Sequence, residues 1–323
     1  WYDHDAGKKD AHLYTKYQYR LTADHILFGD LQYRQVNYRI DGFRDNPNVL
    51  VNERYHFINP KLGWSYTRNN YRAYFSYALG QKEPNRDDFE AGILERPRPE
   101  KLHDFEAGIS HRSARAGWNA GIYYMYYIDQ LVQTGKINDV GAYTRTNIPR
   151  SHRLGIELQA HSMLTEWWKL SGNATFSRNK VNAFTEFVDD YDNGGQKSYS
   201  YQKSDLAFSP NVIAQASMEF RPFNSFTVQL ASKFTGRQFM DNTSRVDRSL
   251  DPFWVQDLRA QYVLHGKWYR ECQFIFQVNN LLNTKYEPNG YTYSYMYNGQ
   301  LNTENYYYPM AGTQWMAGVN LRF

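Results

Sequence analysis

Two groups of side chains could do recognition chemistry. Tyr291, Tyr293, Tyr295 and Tyr297 recur at every second position, and Tyr306, Tyr307 and Tyr308 follow on the return. A period of two puts the first four on one face of an extended segment. Rings displayed in a row offer contact area at low entropic cost, which suits sugars and flat chelates; the competing reading is a last hairpin that projects beyond the membrane with its aromatics packed on neighbouring loops. The second group is Asp189, Asp190 and Asp192, followed by Asn193 and Gly194 in the run DDYDNGG. Hard oxygen ligands beside a glycine turn could hold Ca²⁺ in the 189–194 loop, but a bidentate Glu and the complete ligand spacing are missing, so the competing reading is a solvated acidic loop. Gln229, Lys233 and Arg237 share one parity and place polar groups near a strand end. Catalysis finds no footing, because His152 and His161 lack partners at useful spacing and no phosphate loop or activated nucleophile is present.

What positions these groups is strand-like alternation, which runs from end to end. From Trp315, Ala317, Val319, Leu321 and Phe323 fall on one face and Met316, Gly318, Asn320 and Arg322 on the other. The same pattern marks about 13 segments, among them 71–80, 116–132, 148–163, 167–181, 225–239 and 271–282. Many reach 10–15 residues, longer than the usual ~5–6 of soluble sheets. Connections alternate: short turns such as 68–70, 113–115 and 222–224, then long polar loops at 81–100, 182–206, 241–251 and 283–310. Pro84, Pro97 and Pro99 punctuate the first of these loops. No helix-period segment, domain linker or repeat is seen. The pattern predicts an all-β fold, a transmembrane antiparallel β-barrel with short turns on one side and long loops on the other.

Composition agrees. Aromatics are 17% of 323 residues, with 29 Tyr and 8 Trp. The mean hydropathy of −0.76 fits a barrel, since each spanning strand shows only alternate residues to lipid. Trp64, Trp118, Trp167, Trp168 and Trp268 lie beside short turns, and Trp254 and Trp315 near long-loop ends, as two interfacial girdles require. No run approaches the ~20 apolar residues of a spanning helix. A net charge of +4 is too small and too dispersed along the chain to imply a nucleic-acid partner, and none is expected. One cysteine, Cys272, excludes an internal disulfide. A barrel must be exported, so a chain starting at Trp1 without an initiator Met or apolar leader reads as a mature piece or a fragment. An odd strand count points the same way, since single-chain barrels have an even number.

Four segments resemble motifs of TonB-dependent outer-membrane receptors. Asn280, Leu281, Leu282, Asn283 and Tyr286 resemble the family's N-L-F-N/D-x-x-Y signature, with Leu282 where Phe is commonest. Pro309 and Gly312 match the closing Y-P-x-x-G-R, with Thr313 in place of Arg. Pro99, Glu100, Phe105, Glu106 and Gly108 resemble a strand-entry motif, and Asn147, Gly155 and Glu157 a second one. The terminal Phe323 resembles the aromatic end by which barrel assembly machinery recognises its clients.

The resemblance implies a 22-stranded barrel, of which residues 1–323 form the C-terminal portion, with the plug domain and first strands absent. It further implies a Gram-negative outer membrane, with loops in the style of Bacteroidetes members. The implied function is energised uptake of a scarce nutrient: a ferric siderophore, haem, cobalamin or an oligosaccharide. The implied partners are the nutrient, outer-membrane lipid, the TonB complex acting through the absent N-terminal part, and in some members a surface lipoprotein. Within that reading Tyr291, Tyr293, Tyr295, Tyr297, Tyr306, Tyr307 and Arg237 are the candidate ligand contacts. The rival is a passive porin-like pore or an adhesion barrel; an enzyme barrel comes third.

Overall fold

The computed structural model describes residues 5–44, 47–91, 96–137 and 143–323. Thirteen antiparallel strands follow one another across a single sheet: β1 (Ala6–Arg20), β2 (His25–Asp41), β3 (Leu50–Arg68), β4 (Tyr71–Lys82), β5 (Glu100–Arg112), β6 (Ala116–Ile137), β7 (Tyr143–Met163), β8 (Trp168–Asp190), β10 (Val212–Phe223), β11 (Phe226–Thr235), β14 (Phe253–Leu264), β15 (Glu271–Asn279) and β18 (Gln314–Arg322). Off this path, β9 (Gln196–Asp205), β16 (Asn289–Tyr297) and β17 (Gln300–Tyr308) bring the sheet to 16 strands, and β12 (Gln238–Phe239) and β13 (Ser249–Leu250) form a separate pair. Each of the thirteen strands of the path overlaps one of the about 13 alternating segments of the sequence, with different ends: β8 runs past 181 to Asp190, and β11 stops at Thr235 short of 239.

Register carries the alternation across the sheet. Leu170 pairs with Met218, Met218 with Leu230 and Leu230 with Leu258, an apolar row on one face. One residue along, Lys169, Glu219, Gln229 and Arg259 line up in the same way on the other. A slip of one residue would exchange the two faces completely. Large apolar side chains stand exposed on the first face, Ile156, Phe176, Phe276 and Val319 among them. A patch of that size on a monomer demands a cover.

The long connections are more structured than their sequence predicts. β8 runs on to Asp190 and returns as β9, so 182–206 is a hairpin rather than a loop. Segment 283–310 is likewise a hairpin, β16–β17, whose turn is Asn298–Gly299. A six-residue helix, α1 (Arg86–Ala91), sits in the first long connection. Its Phe89 packs with Ile40, Phe43 and Val51, one of two buried apolar clusters; the other joins Val132, Ile148, Val181, Phe184 and Leu206. Both clusters lie at the long-connection end, so that end is a folded platform.

The motif residues prove architectural. Asn280, in the left-handed region at φ 51°, accepts from Thr284 N at 2.8 Å and donates to the Thr284 and Ala311 carbonyls. Asn283 Oδ1 accepts from Thr313 N, and the Thr313 hydroxyl donates to the Asn280 carbonyl at 2.8 Å. Together these bonds tie the end of β15 to the start of β18. Asn147 bridges Arg98 and Asp129 in the same manner. Gly108 and Gly155 lie beneath tyrosine rings: a Cβ at Gly108 would sit 2.6 Å from Tyr74 Cε1, and one at Gly155 2.4 Å from Tyr123 Oη. Pro60, inside β3, is placed where the β4 ladder has ended at Lys61–Ala78, so a residue that cannot donate is tolerated there.

Candidate functional site

Hairpin β16–β17 carries the tyrosines. Register sets Tyr291 opposite Tyr306 and Tyr293 opposite Glu304, and alternation puts all four on one face with Tyr295 and Tyr308. The rings form a continuous ladder. Tyr308 contacts Tyr291 at 6.2 Å between centroids, Tyr291 stacks on Tyr306 at 4.8 Å and 6°, Tyr306 on Tyr293 at 6.1 Å and 8°, and Tyr293 on Tyr295 at 6.1 Å. Tyr191, from the turn after β8, extends it by contacting Tyr295 at 5.6 Å. Tyr297 sits beyond the ladder at the turn, and Tyr307, opposite Gly290, belongs to the other face of the hairpin. Arg237 is engaged elsewhere, by Ser249 Oγ at 2.7 Å and Asp251 at 2.8 Å.

One carboxylate organises the ladder. Tyr306 and Tyr293 donate to Glu304 Oε2 at 2.6 and 2.8 Å, and Tyr295 donates to Oε1 at 2.9 Å. Donation from Tyr306, then Tyr293 and Tyr295, holds the Glu304 carboxyl below its ordinary range. The same bonds push the Tyr293 phenol up. The sequence drew no attention to Glu304, because a lone Glu among polar residues carries no signal until register places it beside three phenols.

The aspartates turn out to clasp hairpins together. Asp192 accepts from Asn298 N and Gly299 N, both at 2.8 Å, which holds the turn of β16–β17. Tyr295 and Met296 pair in parallel with Asp189 and Asp190. Asp190 accepts from Asp192 N, Asn193 N and the Asn193 amide, and meets Lys197 Nζ at 3.0 Å. Asp189 accepts from Gln196 at 2.7 Å. Both oxygens of Asp190 and Asp192 and one of Asp189 thus already accept protein N–H groups, a turn-building use of these carboxylates that competes with cation binding. Among the described residues no group of three His, Cys, Asp or Glu is arranged to hold a metal.

A third connection joins the platform through a buried charge cluster. Arg248 is fully buried; its Nη1 donates to Glu186 on β8 and, at 2.9 Å, to Asp241. Tyr201 on β9 donates to Glu186 at 3.0 Å, and Asn305 on β17 donates to the Asp247 carbonyl at 2.8 Å. Removing one member of such a cluster strands a buried charge.

The polar face of the sheet holds two clefts. One of about 370 Å³ is lined by Tyr123, Arg153, Glu157 and Asn179; the other, about 750 Å³, by Lys16, Asp30, Lys61, Arg72 and Ser76, with Tyr74 and Glu106 shared between them.

The family model described as TonB dependent receptor-like, beta-barrel, matches residues 1–281. The chain belongs to the TonB-dependent receptor family. Solved structures of low sequence identity share its fold. The siderophore receptor PiuA from Acinetobacter baumannii is 16% identical, with a TM-score of 0.75 over 99% of this chain and 44% of its own. The copper transporter OprC is 13% identical, with a TM-score of 0.74 over 99% and 48%. The closed form of the ferric-catecholate import receptor Fiu from E. coli K12 is 16% identical, with a TM-score of 0.71 over 98% and 45%. The chain thus spans under half the length of the structures it matches. No curated protein matches the sequence. In a receptor barrel of this family the apolar face is the lipid side, the polar face with its two clefts is the lumen side, and the knitted hairpins crown the long-loop end.

Proposed function

We propose that the chain is the barrel portion of an outer-membrane receptor that takes up a scarce nutrient with TonB-coupled energy. The nutrient class spans ferric siderophores, haem, cobalamin and oligosaccharides. The observation that carries this reading is the crown: β8–β9, β16–β17 and the 240–251 segment are tied to one another by Asp192, Arg248 and Asn305, with an aromatic row displayed outward. A general pore has no use for so elaborate a surface; a receptor that captures dilute ligand has. PiuA, Fiu and OprC, a siderophore receptor, a ferric-catecholate import receptor and a copper transporter, support uptake of a nutrient as the common theme. The proposed partners are the nutrient, outer-membrane lipid, the barrel assembly machinery, the TonB complex acting through a segment outside this chain, and a surface lipoprotein.

Capture and translocation are separable. Deleting 287–308 removes the ladder while leaving the thirteen-strand wall intact, so cells carrying the deletion should bind nutrient weakly. Equal binding by deleted and intact receptors, measured with labelled nutrient at 4 °C, would remove the crown from the capture step.

A further inference from the structure

The ladder also constrains what it can hold. From Tyr308 to Tyr191 six rings contact one another in succession along one hairpin face, crossing between its two strands, with Tyr308, Tyr306 and Tyr191 exposed and the others half-buried, an extended array suited to a linear ligand. Three phenol protons are already spent on Glu304, so those hydroxyls meet a ligand through their remaining lone pairs, as acceptors. Residues 289–308 contain no Lys, Arg or His, and Glu304 is their one charged side chain. A surface that accepts, bears a negative charge and offers apolar ring area favours a partner rich in hydroxyl donors. It disfavours an anionic chelate, whose periphery is itself made of acceptors.

Resting on the uptake reading above, we propose that the Tyr191–Tyr308 ladder with Glu304 is an external subsite for an uncharged oligosaccharide. Glu304 is the specificity-determining residue: it fixes the phenol protons inward and rejects anions. Each further sugar unit reaches another rung, so affinity grows with chain length until the ladder is filled.

The test uses the full-length receptor in detergent, with titration calorimetry against neutral α- and β-linked gluco-, manno- and galacto-oligosaccharides from disaccharide to octasaccharide. A ferric tris-catecholate serves as the anionic probe. The expected result is a neutral series whose affinity rises with length. Tyr306→Ala should weaken that binding roughly ten-fold, the loss of one stacking ring, and Tyr306→Phe, which keeps the ring, should weaken it less. Glu304→Gln should relax discrimination against the anionic probe. Heat-modifiable gel mobility shows that each variant keeps its barrel. The proposal is overturned if no neutral series binds, if binding is independent of length, or if Tyr306→Ala abolishes ferric chelate binding instead. Energised uptake of another nutrient, unchanged by Tyr306→Ala, would sink the subsite and leave the receptor function standing.

Discussion

Asp190 accepts two backbone N–H groups and the Asn193 amide while pairing with Lys197. Donation from Asn193 and then Lys197 pushes its carboxyl down to about 2 from 3.8. Because the folded value lies below the ordinary one, the contribution of this clasp to stability is complete above 3.8 and is lost as pH falls through about 2. The amide resonances of Asp192 and Asn193 should therefore titrate with a midpoint near 2; a midpoint at the ordinary carboxylate value would show that the bonds are not formed. The residue types here were legible and their use was not. Asp, Asn and Gly in a short run suit a cation loop and a tight turn equally, and the use of Asp192 to hold Asn298 and Gly299, more than a hundred residues away, leaves no trace in the local sequence. Tyr306, Tyr307 and Tyr308 pose a similar problem, since an unbroken aromatic run hides which members share a face. Alternation from Tyr291 would have separated Tyr307 from its neighbours once the turn at Asn298–Gly299 was recognised.

Among the elements, the thirteen wall strands were legible because lipid on one side and polar lumen on the other impose a strict period of two. Where strands leave the membrane that contrast vanishes. The upper half of β8 and the end of β17 carry aromatics on both faces, and β9 and β16 set polar residues opposite their tyrosines instead of a continuous apolar stripe, so these segments read as loop. Helix α1 spans under two turns, too few for a helical period to show. Two predictions belong at this scale. Leu230→Arg, on the lipid face, should cost roughly 2–4 kcal/mol of folding free energy near the bilayer midplane, and Gln229→Arg, on the lumen face, far less. Equal costs in urea unfolding from liposomes would contradict the assigned faces. Gly155→Ala should cost about 1–3 kcal/mol, because its Cβ must displace the Tyr123 hydroxyl. Gly80→Ala, with open space around its Cβ, should be neutral or slightly stabilising. Similar effects at both glycines would deny the ring-over-glycine packing.

For the whole molecule, the wall and the crown do different work. The wall turns an apolar face to lipid and a polar face with charged clefts to the other side. The crown, knitted by Asp192, Arg248 and Asn305, is the fixed surface to which the proposed function assigns capture. Capture by such a surface is an equilibrium and needs no energy. Accumulation against a gradient does, and the receptor reading assigns that energy to the proton-motive force relayed by TonB. The most direct measurement is uptake of labelled nutrient by cells expressing the full-length receptor, with and without an uncoupler. The account predicts that surface binding persists under the uncoupler while accumulation ceases. Accumulation that survives the uncoupler, or that follows solute size as passive diffusion does, would contradict it.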